Sequence, residues 1–185
     1  AGISPADVRM IVHGTTVATN ITIEHNGAEV GMLTTRGFRD ILHIGRHKRE
    51  HNFSLQFDVP WQSKPLVKRR NRIPITERLV PPTGEVSVPL ADDEVRAAAE
   101  LLKARDIGSV IICFMYSFLN DSHEQRAKAI VQEVMPEAYV SCSSEIANVM
   151  REYERFSTTA MNAFVGPKTF TPALRRTGHA GFATP

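Results

Sequence analysis

Residues 109–116 read Ser-Val-Ile-Ile-Cys-Phe-Met-Tyr, and from Val110 to Phe114 no polar side chain interrupts the run. A half-buried strand alternates apolar and polar positions. A strand apolar on both faces needs cover on both sides, which is the condition of a central parallel strand. The flanks supply that cover. Val95, Ala98, Ala99 and Leu102 follow helical spacing before the run, and Ala127, Ile130, Val131 and Val134 do so after it. Ser122 and Gln125 have the spacing of a capping box for the second helix.

Further elements fit the same pattern. Residues 8–12 and 29–35 read as strands, and 17–25 reads as a helix stopped by Asn26-Gly27. Residues 37–44 read as a short helix. Residues 72–80 alternate and turn through Pro81-Pro82-Thr83-Gly84 into 85–88, a hairpin signal. Residues 138–142 read as a strand. A last helix is expected from about Glu145 to Val165, with Ile146, Val149, Met150, Tyr153 and Phe156 facing inward. The expectation is an α/β domain over residues 1–167, with a mixed or parallel sheet flanked by helices, and a poorly structured tail over 168–185.

Composition narrows the class. The 185 residues carry 22 Lys plus Arg against 20 Asp plus Glu, a net charge of +2. This balance makes no global case for nucleic acid or a membrane surface. Cys113 and Cys142 sit in apolar runs without CxxC spacing, against a disulfide scaffold or a cysteine zinc site. No run approaches the roughly 20 apolar residues of a bilayer span, and no charged-then-apolar leader opens the chain. The expected location is the cytoplasm, with reduced thiols.

Three stretches can carry chemistry. His13-Gly14-Thr15-Thr16 lies between a strand and a helix, where open α/β sheets place ligands. Its free amides and hydroxyls can hold an anion, or Thr15 or Thr16 can simply cap the helix. Glu152, Glu154 and Arg155 can handle a metal or a phosphate, or form a solvated face. Arg155, Thr158 and Asn162 follow near-helical spacing and can project along one side of their helix. Residues 46–78 hold nine Lys or Arg against three acids, with Phe53, Phe57 and Trp61 interleaved. This can be an RNA surface, a subunit interface or an anion wall. His47 and His51 fit a metal pair only on a helix, and no metal site is expected.

Several motifs then agree in order. His13-Gly14-Thr15-Thr16-Val17-Ala18-Thr19-Asn20 resembles the HGTTVATN signature of the hydantoinase A/5-oxoprolinase family. Thr34-Thr35-Arg36-Gly37-Phe38-Arg39-Asp40 is similar to its TT-x-GFRD. Ile44-Gly45-Arg46, Pro65-Leu66-Val67, Glu77-Arg78, His123-Glu124 and Ser143-Ser144-Glu145 follow, and Arg151 to Arg155 with Ser157-Thr158-Thr159 and Asn162-Ala163 resembles its REYER-x-STT-x-x-NA block. Residues 51–62 lean toward the ketone carboxylase side of the family. The resemblance implies a ribonuclease-H-like, actin/hexokinase-type ATPase fold. It implies ATP-dependent opening of cyclic amides such as hydantoins or 5-oxoproline, or, in carboxylase relatives, ketone activation. It adds Asn20 and Arg36 to the substrate- or phosphate-binding candidates, with ATP and Mg²⁺ as cofactors of the full-length family. The family's D-x-GGT phosphate loop and second lobe have no match in this sequence. The expectation is therefore an incomplete lobe, inactive alone, binding neither cofactor tightly. It would work with a second subunit or the remainder of a longer chain, or serve as an interaction module, with neither nucleic acid nor membrane as a partner.

Overall fold

A computed structural model describes residues 16–46 and 59–177. The expected strand at 8–12 and the residues His13, Gly14, Thr15, His47 and His51 lie outside the described residues. In chain order the elements are α1 (Val17–Glu24), β1 (Val30–Thr35), α2 (Ile41–Ile44), α3 (Pro60–Ser63), a 3₁₀ turn (Arg69–Asn71) and β2 (Arg72–Ile75). There follow β3 (Arg78–Val80), β4 (Glu85–Val88), α4 (Asp92–Ala104), β5 (Ser109–Cys113), α5 (Ser122–Val134), β6 (Tyr139–Cys142), α6 (Ser143–Ile146) and α7 (Glu152–Thr177).

The main sheet runs β2-β1-β5-β6, with every described neighbour pair parallel. β5 is central, as its two apolar faces require. Val110 and Ile112 join Leu33 and Ile75 against the apolar stripes of α4 and α5, with Phe114 in the same layer. Ile111 and Cys113 join Val30 and Met32 on the opposite face, under α1, α2 and α7, where Ile21, Leu42, Phe156, Ala160 and Phe164 pack. Alternate side chains of one strand thus anchor two helical layers. The antiparallel β3–β4 pair is a separate sheet, so of the two expected alternatives, mixed or parallel, the main sheet is parallel among the described residues.

The structure differs from the sequence reading at several boundaries. Residues 72–80 form two strands in different sheets, because Glu77 turns inward and breaks the run. The capping box is not formed. Asp121 is the N-cap residue, Asn120 Oδ1 accepts from the Ser122 amide at 3.0 Å, and the Gln125 side chain donates to Asp121 and Glu145. His25, not Asn26 or Gly27, takes the left-handed conformation that ends α1, with φ of 51°.

The last helix starts later than expected, at Glu152. Ile146, Val149 and Met150 are exposed, Met150 by 73%, instead of facing inward. Arg155 takes the Val149 carbonyl at 3.3 Å, a contact that favours an extended path before the helix. The helix also continues through Gly166-Pro167 to Thr177, beyond the boundary at 167. Proline cannot donate to the carbonyl four residues back. That carbonyl, of Ala163, accepts instead from Ser109 Oγ at 2.8 Å. A Cβ at Gly166 would lie 2.7 Å from the Tyr139 ring, so glycine here serves close approach and not a helix end. Among the described residues no helix is long and apolar enough to cross a membrane.

Phe114 is fully buried between sheet and helices. Phe114→Ala is expected to cost about 3–5 kcal/mol. Urea titration checks this, and a loss below about 1 kcal/mol would contradict the packing described.

A candidate ligand cleft at the strand ends

The connection leaving β1 passes over the α2–α7 layer to β2, whereas the connection leaving β5 passes through α5 to β6 on the opposite face. The chain therefore reverses direction between β1 and β5. Outside the carboxyl ends of such a strand pair lies the usual ligand crevice of open parallel sheets.

Two buried carboxylates organise those ends. The Thr35 hydroxyl, at the end of β1, donates to Glu77 Oε1 and accepts from the Met115 amide at 2.9 Å, just past β5. Glu77 Oε2 shares a hydrogen bond of 2.9 Å with His123 Nδ1. Glu124 is the second carboxylate. It accepts from the Phe114 amide at 2.9 Å, the Ser143 hydroxyl at 2.6 Å, and the Ser144 amide and hydroxyl at 2.9 and 2.7 Å. Arg155 completes this second set, donating to the Phe114 carbonyl at 2.8 Å and to Ser143 Oγ at 3.1 Å. Burial pulls the Arg155 guanidinium pKa down, while Glu124 and Glu152 oppose that shift. Strands β1, β5 and β6 are thereby joined at one end by fully committed polar groups. Burial likewise pushes the Cys113 and Cys142 thiols up, so both stay protonated and unsuited to nucleophilic work.

Above this layer an open cleft of about 560 Å³ is lined by Phe38, Ile41, Met115, Arg46 and residues 151–154. Phe38, Ile41 and Met115 give it an apolar lining. Arg46 and Arg151 bring positive charge, and the first turn of α7 brings Glu152 and Glu154. Arg46 pairs with Glu154. Burial raises the Glu154 pKa, but its own amide and Arg46 outweigh this and hold the carboxyl below the usual range. Arg151 and Tyr116, flanking the cleft, have φ of 92° and 61°. Such backbone strain in non-glycine residues concentrates at functional sites. The lining can seat a small ring on apolar side chains with polar atoms toward Arg46 or Arg151.

The sequence candidates divide around this cleft. Glu152 and Glu154 line it. Arg155 does not: it is 0% exposed and its donors serve the protein. Asn162 shares its sheetward side and donates to Tyr139 and Ser141 at 3.2 Å, whereas Thr158 is exposed. The expected donor row of Arg155, Thr158 and Asn162 is thus not formed. Positions 155 and 162 are almost two full turns apart and coincide, while 158 is rotated away. Thr16 and Asn20 are exposed on α1. α1 runs beside α7 in the same sense, with Thr22 on Met161, His25 on Phe164 and the Asn26 carbonyl accepting from Lys168. Arg36 stands at the β1 exit and binds both oxygens of Glu94 at 2.9 Å.

The basic stretch is also largely engaged where described. Lys68 and Arg70 pair with Glu29, Arg69 pairs with Asp40, and Arg72 is buried. Among the described residues no three His, Cys, Asp or Glu side chains are placed to share a metal ion. Glu77 and Glu124 are occupied by protein donors, so these residues do not fit a Mg²⁺ site.

Sequence reasoning assigned no role to Glu77, His123 or Glu124, nor to Phe38, Ile41, Met115 and Arg151 of the cleft. Two signals were available: Phe38, Glu77, His123, Glu124 and Arg151 lie in the motifs that resemble the family's, and the second is local. Glu124 occupies the apolar stripe of α5 with Ala127, Val131 and Val134, where an unpaired carboxylate would be too costly to bury.

A parallel α/β domain with a cleft at its switch point defines a class of ligand-binding scaffolds. Comparison with known proteins narrows it. A model described as the hydantoinase/oxoprolinase N-terminal region matches residues 1–135. The chain belongs to the hydantoinase/oxoprolinase family, within its N-terminal region. An uncharacterised protein of Methanocaldococcus jannaschii is 36% identical over 94% of this chain and 26% of its own length. The caprolactamase subunit alpha of Pseudomonas jessenii is 37% identical over 88% of this chain and 23% of its own length. The crystal structure of the ATP-dependent caprolactamase from that organism superposes with a TM-score of 0.78 over 89% of this chain and 23% of the matched chain. The acetophenone carboxylase gamma subunit of Aromatoleum aromaticum is 28% identical over 85% of this chain and 23% of its own length. The chain therefore spans about a quarter of the length of these relatives.

Glu124→Gln would remove the charge and set an amide NH₂ against either the Phe114 or the Ser144 backbone amide, which can only donate. It is expected to cost about 3 kcal/mol, as for breaking a buried charged set, against less than about 0.5 kcal/mol for the exposed Glu85→Gln. Urea midpoints compare the two. Arg69 hydrogen bonding holds the Asp40 carboxyl below its ordinary value of 3.8. A lowered carboxylate contributes stability above its unfolded pKa and loses it as pH falls through the folded value. Stability should therefore fall as the pH drops below the ordinary carboxyl value of 3.8. Asp40→Asn should flatten that slope in denaturation curves taken across this range.

Proposed function

We propose that this chain forms the acceptor-substrate side of an ATP-dependent cyclic amide hydrolase. On this reading the cleft beside Met115 and Arg151 receives the cyclic amide. The single observation that carries the proposal is the cleft's position at the β1–β5 switch point, in a chain 37% identical to a caprolactamase subunit. The carboxylase relative stands at 28%, which favours the amide branch over the ketone branch. The lean of residues 51–62 toward the carboxylases rests mostly on positions outside those described.

The chemistry follows from what an amide lacks. Its carbonyl is a poor electrophile and its nitrogen a poor leaving group. ATP supplies a phosphoryl group that makes such a centre reactive, chiefly through positioning and charge neutralisation. This chain's part is to hold the ring against Phe38, Ile41 and Met115, to orient its carbonyl toward Arg151 or Arg46, and to exclude water from that face. Glu124, Ser143 and Arg155 keep the strand ends rigid beneath the ring. The sheet is then one lobe of a ribonuclease-H-like ATPase, acting in the cytoplasm with the rest of a longer chain and a second subunit. Nucleotide and metal are held elsewhere in that assembly.

The test is steady-state ATP turnover by the complete protein carrying this chain, with ε-caprolactam, hydantoin or 5-oxoproline as acceptor. Arg151→Ala is expected to raise KM for the acceptor about tenfold, as for a lost charge-assisted hydrogen bond, and far more than KM for ATP. Met115→Trp, which fills the cleft, should act in the same direction. Acceptor KM unchanged in both variants would place the substrate elsewhere.

A further inference from the structure

The cleft has a neighbour built from the same two helices. α2 contributes Ile41 to the cleft and Leu42 to a separate cavity of about 80 Å³. α7 contributes Tyr153 to both, and Ser157 and Ala160 to the cavity. Trp61 and Val67 add to its apolar lining.

The polar groups on the cavity wall are engaged elsewhere. Trp61 Nε1 donates to the His43 carbonyl at 3.2 Å, and Ser157 Oγ donates to the Glu154 carbonyl at 3.1 Å. Arg72, also on the wall, donates through Nε and Nη2 to the Val67 carbonyl at 3.0 and 2.8 Å, and its Nη1 is buried out of the cavity's reach. A cavity water needs several polar partners, and an apolar cavity without them stays dry and accepts apolar groups instead. Such a void forfeits dispersion contacts along its whole lining, which a fitting alkyl group restores. A dry cavity of about 150 Å³ holds a benzene ring, so one of about 80 Å³ has room for about three carbon atoms.

Tyr153 stands between cavity and cleft. It is half-buried, and its hydroxyl has no hydrogen-bond partner among the described residues. A buried tyrosine hydroxyl ordinarily finds a partner that fixes its ring. No such bond holds this ring in place between the two spaces.

We propose that the cavity is a side pocket of the cleft, opened by turning Tyr153 aside, and that it receives a branched alkyl substituent such as isopropyl on the acceptor ring. Tyr153 then decides admission, and Leu42, Trp61 and Ala160 decide the size admitted. The ring's place in the cleft rests on the cyclic amide reading; the pocket adds which cyclic amides are preferred.

The test is calorimetric titration of the complete protein carrying this chain with 2-pyrrolidinone and with its 3-isopropyl and 5-isopropyl derivatives, whose substituents flank the amide on either side. One isopropyl derivative is expected to bind at least about tenfold tighter than the bare ring, as for burying the added carbons. Ala160→Leu, which fills the pocket, should remove that preference while the far-ultraviolet circular dichroism is retained. If Ala160→Leu does not fold, Ser157→Leu, at a half-buried position on the same wall, carries the same comparison. Binding of the bare ring with no gain from either isopropyl group would overturn the side pocket and leave the cyclic amide reading standing. A preference that survives in the folded variant would overturn the pocket as well. Binding of none of the three rings would overturn the cyclic amide reading and the pocket's ligand with it.

Discussion

The carboxylate of Glu124 is the constraint around which the strand ends are built. Parallel strands present their last amides and carbonyls at one edge with no neighbouring turn to satisfy them. Glu124 reaches from α5 to the Phe114 amide and to Ser143 and Ser144, and Arg155 reaches from α7 to the Phe114 carbonyl and the same Ser143 hydroxyl. Helices on opposite faces of the sheet are thus joined through its edge. Glu124, Phe114, Ser143 and Arg155 are buried and costly to leave unpaired, so the set holds as a unit. The extended path before α7 follows from it, because Arg155 also takes the Val149 carbonyl.

This committed layer clarifies the division of labour at the site. Arg155 would be an obvious anion ligand if it were exposed. Buried, it supports the floor, and the cleft above is lined by Arg46 and Arg151 beside Phe38, Ile41 and Met115. Glu152 connects the two levels: it lines the cleft, and its Oε1 lies 3.7 Å from Arg155 Nη2. The length of the relatives indicates how much further structure can face this surface.

Much of the architecture was legible from residues 92–142, because amphipathic helices around a doubly apolar strand admit few arrangements. The central position of β5, the two helices packed on it and the β3–β4 hairpin all follow from periodicity and turn residues. Less legible were features that depend on a distant partner. Gly166-Pro167 reads as a helix end by local preference, yet Tyr139 and Ser109 supply what a continuing helix needs. Ile146, Val149 and Met150 fit an apolar stripe, yet Ile146 ends the short α6, Val149 and Met150 follow it outside any helix, and all three are exposed.

By itself the sequence determined the α/β class and the family, since periodicity and ordered motifs are properties of the chain alone. Only the tertiary structure decided which of residues 151–155 line the cleft. Helical spacing fixes the angle between Arg155, Thr158 and Asn162, but not which way that helix is turned. The sheet beneath α7 made that choice, drawing Arg155 and Asn162 inward to unsatisfied groups on β5 and β6 and leaving residues 151–154 to line the cleft.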